Sequence, residues 1–319
     1  MGSYVNFGPQ ETQPPPVVCR EVVLYTLFVE AEYEALKRLC CEVFNPQKDP
    51  KISCQPADDY FVVQFSNIGW VGNAAYRAGV KEMEVLVQVP VYYDIYGHSG
   101  EAYFTPYIWV SNPLAMAGGR EVFGYPKGLG CLTVPRPRKH SPALRLSLQT
   151  YGGDKDYSGV WPDDLEQIAV QETGQFHPAS DLITYWSSKL HSERSKALLR
   201  SLIIQQDYQT IFLKQFRDVR STVGNETACF KQIVAAQYSV TDPSRPDWQP
   251  EPLRADLDKT YDLTIADFDS ATMYSSLQPK RMSNVGQKAK FFHTVLSGCT
   301  LFETPSLTLD KPRVLWTSP

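Results

Sequence analysis

Two hydrophobic periods alternate along the chain after a polar, proline-rich arm at residues 1–16. Cys19 to Val29 has strand character. Tyr33, Leu36, Leu39, Cys40, Val43 and Phe44 then recur at steps of three and four, one face of a helix that Asn45-Pro46 stops. From Tyr60 the text turns to strands: Tyr60 to Phe65, Met83 to Tyr93 and Phe104 to Val110, rich in Val, Tyr, Phe and Trp. Cys131 to Val134 is a short strand, and Leu144, Leu146 and Leu148 alternate with polar residues as in a half-buried one. Ser180 to Gln206 reads as helix, with Leu182, Trp186, Leu190, Leu198 and Leu202 on one stripe and Ser180 or Asp181 as cap. Thr210 to Arg217, Ala228 to Tyr238, Tyr261 to Ala266 and Phe291 to Phe302 return to strand, around a proline-rich loop at Asp242 to Pro252 and a short helix over Asp269 to Leu277. The fold class that follows is α+β, β-dominated. Residues 17–319 are expected to form one continuous domain with a helical insertion at about 180–206.

Composition adds mainly exclusions. The 319 residues are 43% hydrophobic and 21% charged with a net charge of -4, which leaves no electrostatic footprint for nucleic acid or an anionic membrane. Pro135 to His140 is a basic turn without flanking aromatic residues, more in keeping with solvation than with nucleic-acid binding. No run is long and apolar enough to cross a bilayer, and the arm lacks a secretory pattern, so a cytoplasmic location is expected. The seven cysteines, at 19, 40, 41, 54, 131, 229 and 299, show neither C-x-x-C nor metal spacing and are expected to be reduced thiols. The partner class left is a small molecule, with a homo-oligomer open.

The candidate chemistry lies in Gly118 to Gly130, where one lysine, Lys127, stands in glycine-rich, apolar sequence. Glycines allow tight turns, and Pro126 fixes the backbone just before the lysine. An amine stripped of water favours its neutral form and can attack a carbonyl to give a Schiff base. A phosphate loop is excluded, because Tyr125-Pro126 separates Gly124 from Lys127 and no hydroxyl follows. The competing reading is a solvated lysine on a turn. Upstream, Glu84 lies between Met83 and Val85 and faces the opposite side of its strand, which by itself suits a solvent-facing residue. His98, in the turn-rich stretch Tyr92 to Gly100 that is expected to cover the site, is set aside as an exposed histidine.

Gly119-Arg120-Glu121 followed after four residues by Pro126-Lys127 resembles the signature of the acetoacetate decarboxylase family, G-R-E-x-x-x-Y-P-K-K. Glu84, six residues before Pro90-Val91, is similar to that family's active-site glutamate, and Arg20-Glu21 resembles its Arg-Glu pair. The resemblance implies an acetoacetate decarboxylase-like β-barrel or sheet core with helical additions. It also implies a lyase in which Lys127 forms the imine, Glu84 orients it or moves a proton, and Arg20 pairs with a substrate carboxylate. Arg120 and Glu121 would hold the loop through polar contacts. No metal, nucleotide or organic cofactor is implied, since the imine is the electron sink. The substrate would be a keto acid, ketone or aldehyde, most simply a β-keto acid losing carbon dioxide. The same lysine also allows aldol or retro-aldol reaction, dehydration or cyclisation, and a non-catalytic carbonyl-binding protein is the other class.

Two departures stand out. Gly128 replaces the second lysine that depresses the nucleophile's pKa in the decarboxylase, so burial alone is expected to lower that of Lys127. The family's other active-site carboxylate has no counterpart in Phe61 to Asn67.

Overall fold

A computed structural model describes residues 15–73, 79–136, 145–150, 166–176, 188–203, 207–217, 228–241, 256–266, 277–278, 283–284, 291–309 and 313–318. The expected arm, apart from Pro15 and Pro16, lies outside them, as do the loop at 242–252, nearly all of the helix over 269–277 and the first part of the helical insertion. Strands dominate: β1 Val17–Glu30, β2 Ile52–Pro56, β3 Tyr60–Gly72, β4 Val80–Ile95, β5 His98–Val110, β6 Lys127–Thr133, β7 Arg145–Thr150, β8 Glu166–Phe176, β9 Tyr208–Arg217, β10 Ala228–Thr241, β11 Asp256–Ala266, β12 Ser283–Asn284, β13 Phe291–Leu309 and β14 Arg313–Thr317. Among the described residues the helices are α1 Tyr33–Phe44, α2 Pro113–Gly118 and α3 Glu193–Ile203, with a π-helical turn at Gly119–Phe123. Of the strands, β2, β8, β12 and β14 have no counterpart in the periodicity reading.

The strands pair in the order β14-β10-β9-β5-β6-β7-β8-β11-β13-β1-β3-β4-β2, and further pairings β4–β5 and β10–β13 close this sheet on itself. Closure leaves the short strands β2 and β14 at the ends of the order and encloses side chains on the inner face. One face of β4 sends Val85, Val87, Val89 and Val91 into the main core, against Leu36 and Phe44 of α1. The other face points Leu86 at Ile108, Val110, Phe212 and Val234. Burying both faces explains why β4 reads as a nearly continuous apolar run.

β5 is shared. It pairs in parallel with β9 at Tyr103 and Phe104, and with β6 from Ile108 to Val110, so the sheet forks where β6 begins. Its other end belongs to a tight hairpin with β4, turning at Tyr96 (φ 51) and Gly97 (φ 83). The stretch expected as a covering loop is therefore mostly strand. His98 is exposed at the far end of β5 from Ile108, roughly 30 Å away at about 3.3 Å per residue. In the helical insertion the chain enters α3 at Ser192 and Ser195, whose hydroxyls lie 2.8 Å apart. Leu190, Leu198 and Leu199 pack on Tyr60, Tyr103 and Tyr208, so the described part of this insertion is built into the core.

Candidate active site

Lys127 opens β6, and its position follows from how the preceding turn is made. Asn112 caps α2 by accepting from Leu114 N–H, and Pro113 occupies the first turn, where no N–H is needed. The helix then widens into one π turn, in which Gly124 N–H donates to the Gly119 carbonyl at 3.0 Å. Tyr125 N–H donates to the same carbonyl at 3.1 Å. Such turns recur at functional sites because they re-aim the chain. Gly124 ends it with φ 89, and a Cβ there would lie 2.6 Å from the Lys214 Cα, so only glycine fits. Gly119 is required for a different reason. A Cβ on it would stand 2.6 Å from Lys127 Cδ and 2.7 Å from Cε, because the lysine stem lies directly over this residue.

Register then fixes what the amine meets. Lys127 pairs with Ile108, and Ile108 with Leu86, which puts the lysine on the Glu84 face of β4. Its Nζ donates to Glu82 Oε1 at 3.1 Å and lies 3.7 Å from Glu84 Oε2. The three side chains are 10%, 2% and 14% exposed for Lys127, Glu82 and Glu84, so the cluster is nearly dry. Ser66 stands opposite Glu84 across β3–β4, fully buried, with its hydroxyl acting on the Glu84 carboxylate. The Tyr125 ring lies 5.5 Å from the amine and 4.0 Å from the Phe212 ring. Its hydroxyl shares a hydrogen bond with that of Tyr238, which stacks on Tyr208. Cys19 completes the surroundings and, with Val22, Leu24 and Ile68, forms an apolar wall.

The charges decide the resting state. Burial pushes the Lys127 pKa down, but the charges of Glu82 and Glu84 and the Glu82 hydrogen bond outweigh it and leave the value above that of an ordinary lysine. The expectation that burial lowers it is corrected: two carboxylates, not an apolar void, surround the amine. Burial raises Glu84 to about 7, against the opposing pull of Lys127, with Glu82 adding to the rise. Burial likewise keeps the phenols of Tyr125, Tyr208 and Tyr238 and the Cys19 thiol neutral at physiological pH. The cluster is thus one shared proton away from a neutral amine beside a carboxylic acid.

The structure brings Lys127 and Glu84 together and leaves the other sequence candidates outside. Glu21 has φ 53, which breaks the strand alternation so that Cys19 and Val22 share a face. Arg20 is turned outward, its guanidinium 4.5 Å over the Trp70 ring. Arg120 and Glu121 are exposed on the π turn. That turn is held by its backbone bonds and by Lys214 Nζ, which donates to the Val122 carbonyl at 3.4 Å, with the Glu121 charge acting on Lys214. Glu82 is the residue that sequence reasoning missed. Its signal was present: a second carboxylate two positions before Glu84 on a strand lies on the same face. It also borders a cleft of about 310 Å³ lined by Glu21, Asn67, Lys81, Ser111 and Arg136 among others. Gly128 pairs with Trp109 on the opposite face, and a Cβ there would lie 3.2 Å from the Trp109 Cδ1.

Residues 8–156, just under half of the chain, match the family model described as acetoacetate decarboxylase (ADC). No curated protein matches. Among solved structures, acetoacetate decarboxylase from Legionella pneumophila is 14% identical with a TM-score of 0.55, over 99% of this chain and 92% of that one. An acetoacetate decarboxylase-like enzyme from Sphingomonas wittichii RW1 is 12% identical with a TM-score of 0.56, over 99% and 98% of the two chains. The enduracididine biosynthesis enzyme MppR, complexed with pyruvate, is 15% identical with a TM-score of 0.50, over 95% and 91%. The chain thus carries the acetoacetate decarboxylase family's sequence pattern over residues 8–156 and the fold of acetoacetate decarboxylase-like enzymes over nearly its whole length.

Proposed function

We propose that the protein is a lyase that holds a carbonyl substrate as a Schiff base on Lys127. The observation that carries this is the buried amine flanked by Glu82 and Glu84 at 3.1 and 3.7 Å, at the position matching the family's lysine. As substrate displaces water, the ammonium proton passes to Glu84, whose raised pKa lets it hold a proton near neutrality. The freed amine attacks the carbonyl carbon, a carbinolamine forms, and loss of water gives the iminium. Glu82 remains as its counter-ion. The electron pair of a breaking bond next to the iminium carbon flows to nitrogen, leaving an enamine. Protonation of that enamine and hydrolysis free the product and restore the lysine.

The simplest bond to break is that to a carboxylate, releasing carbon dioxide from a β-keto acid. The second reading keeps the imine and makes or breaks a bond by aldol-type chemistry. It is favoured by the fold's association with MppR, which has been captured with the condensation product of pyruvate and imidazole 4-carboxaldehyde. On either reading Lys127, Glu84 and Glu82 carry the chemistry, and Arg20 is not in reach of it.

Trapping tests the shared step. Borohydride with a panel of small ketones, aldehydes and keto acids is expected to add one reduced adduct per chain, mapped by peptide mass to Lys127 and absent from Lys127→Met. Adducts scattered over surface lysines, or no adduct with any member of the panel, would remove the imine and promote a binding protein.

A further inference from the structure

We infer that the substrate of this site carries no anionic group beside its carbonyl, being an uncharged ketone or aldehyde activated through its α-carbon. The inference rests on the Schiff-base reading above, adds the charge class of the substrate, and on that ground chooses the aldol-type reaction over loss of carbon dioxide. A carboxylate one carbon from the ketone, as in a β-keto acid, would have to sit within a few ångströms of the iminium nitrogen. That space already holds Glu82 and Glu84. Among the described residues, Lys127 is the only cation within 4.0 Å of either of them. One positive charge is thus shared by two carboxylates, and a third would be repelled where burial leaves little water to screen it.

The neighbouring cations do not change this balance. Arg20 faces away, over Trp70. Arg136 lines the outer cleft and donates to the Glu21 carbonyl at 2.7 Å. The remaining surroundings suit an uncharged molecule. Tyr125, Phe212 and Tyr238 supply aromatic surface and no positive charge. A carboxylate has work to do on such a substrate. Once water has left and the iminium has formed, ionised Glu84 takes the α-proton. The C–H electron pair becomes the enamine double bond, and the iminium π electrons return to nitrogen.

The test compares methyl acetoacetate with acetoacetate, which differ in charge and little in shape. Each is incubated with the protein and borohydride at pH 7.5, and labelling of Lys127 is followed by peptide mass, normalised to labelling of free Nα-acetyl-lysine methylamide. The ester is expected to label Lys127 at least tenfold faster than the anion after normalisation, a gap of about 1.4 kcal/mol. Glu82→Gln, which removes one charge with little change of shape, is expected to narrow the ratio by raising the acetoacetate rate. Equal or faster labelling of Lys127 by acetoacetate in the wild type overturns the inference and leaves the imine standing. Failure of both compounds to label Lys127 overturns the inference, and the imine falls with it only when the wider carbonyl panel also leaves Lys127 unlabelled. The wild-type comparison decides even if the variant does not fold.

Discussion

Replacing Gly119 by alanine separates the stability of the π turn from the reactivity of its lysine. Gly119 has φ -62 and ψ -42, so its backbone is already helical and alanine is permitted there. By propensity alone the change would stabilise the fold by about 0.5–1 kcal/mol. The added methyl, however, would stand 2.6 Å from Lys127 Cδ and 2.7 Å from Cε, where ordinary carbon contacts are near 3.5–4.0 Å. The neighbour is the flexible stem of a lysine, so it yields, moving by roughly 1 Å. That displacement breaks the 3.1 Å hydrogen bond from Nζ to Glu82. A misplacement of this size at a reacting atom costs about a hundredfold in rate. Gly119→Ala should therefore melt at or above the wild-type temperature while Lys127 is trapped by borohydride about a hundredfold more slowly. Both are measurable on one preparation, by circular dichroism and by peptide mass. A well-folded variant labelled at the wild-type rate would refute the claim that Gly119 exists to seat the lysine.

Glu84→Gln should leave the fold nearly intact and cut turnover and trapping by about 10²–10⁴-fold, because it removes the group proposed to take the ammonium proton. Glu84 is raised from 4.5 to about 7 in the folded state, so the folded chain holds its proton longer than the unfolded chain. Its contribution to stability accordingly falls as pH rises between those values. Urea unfolding should show that decline in the wild type and a flatter profile in Glu84→Gln, and an unchanged profile would remove Glu84 from the buried cluster. Gly128→Lys should not shift the pH dependence of trapping relative to Gly128→Ala, since both side chains point at Trp109 and away from the amine. Gly128→Ala, whose Cβ would lie 3.2 Å from the Trp109 Cδ1, is the steric control for the lysine variant. A downward shift in the apparent pKa for trapping, seen only with the lysine, would place position 128 in the site after all.

Sequence alone determined the strand-rich class, the helix Tyr33–Phe44 and the lysine to examine, because these depend on local period and on a short gap-free pattern. It also held the pair Glu82 and Glu84, legible from the two-residue repeat of a strand. What it could not decide was the company each side chain keeps. Arg20 sits in a convincing local pattern, yet a single left-handed residue, Glu21, reverses the faces of β1 and turns it away. The turn-rich stretch Tyr92 to Gly100 reads as a cover, but pairing over β4 and β5 makes it a hairpin at the wrong end of the sheet. The state of Lys127 depended most on tertiary structure. Desolvation and ion pairing act in opposite directions on a buried amine, and their balance depends on distances of 3.1 and 3.7 Å to residues 45 and 43 positions away in the chain. Those distances come from the closure of β4, β5 and β6 around one fork, and no local pattern encodes them.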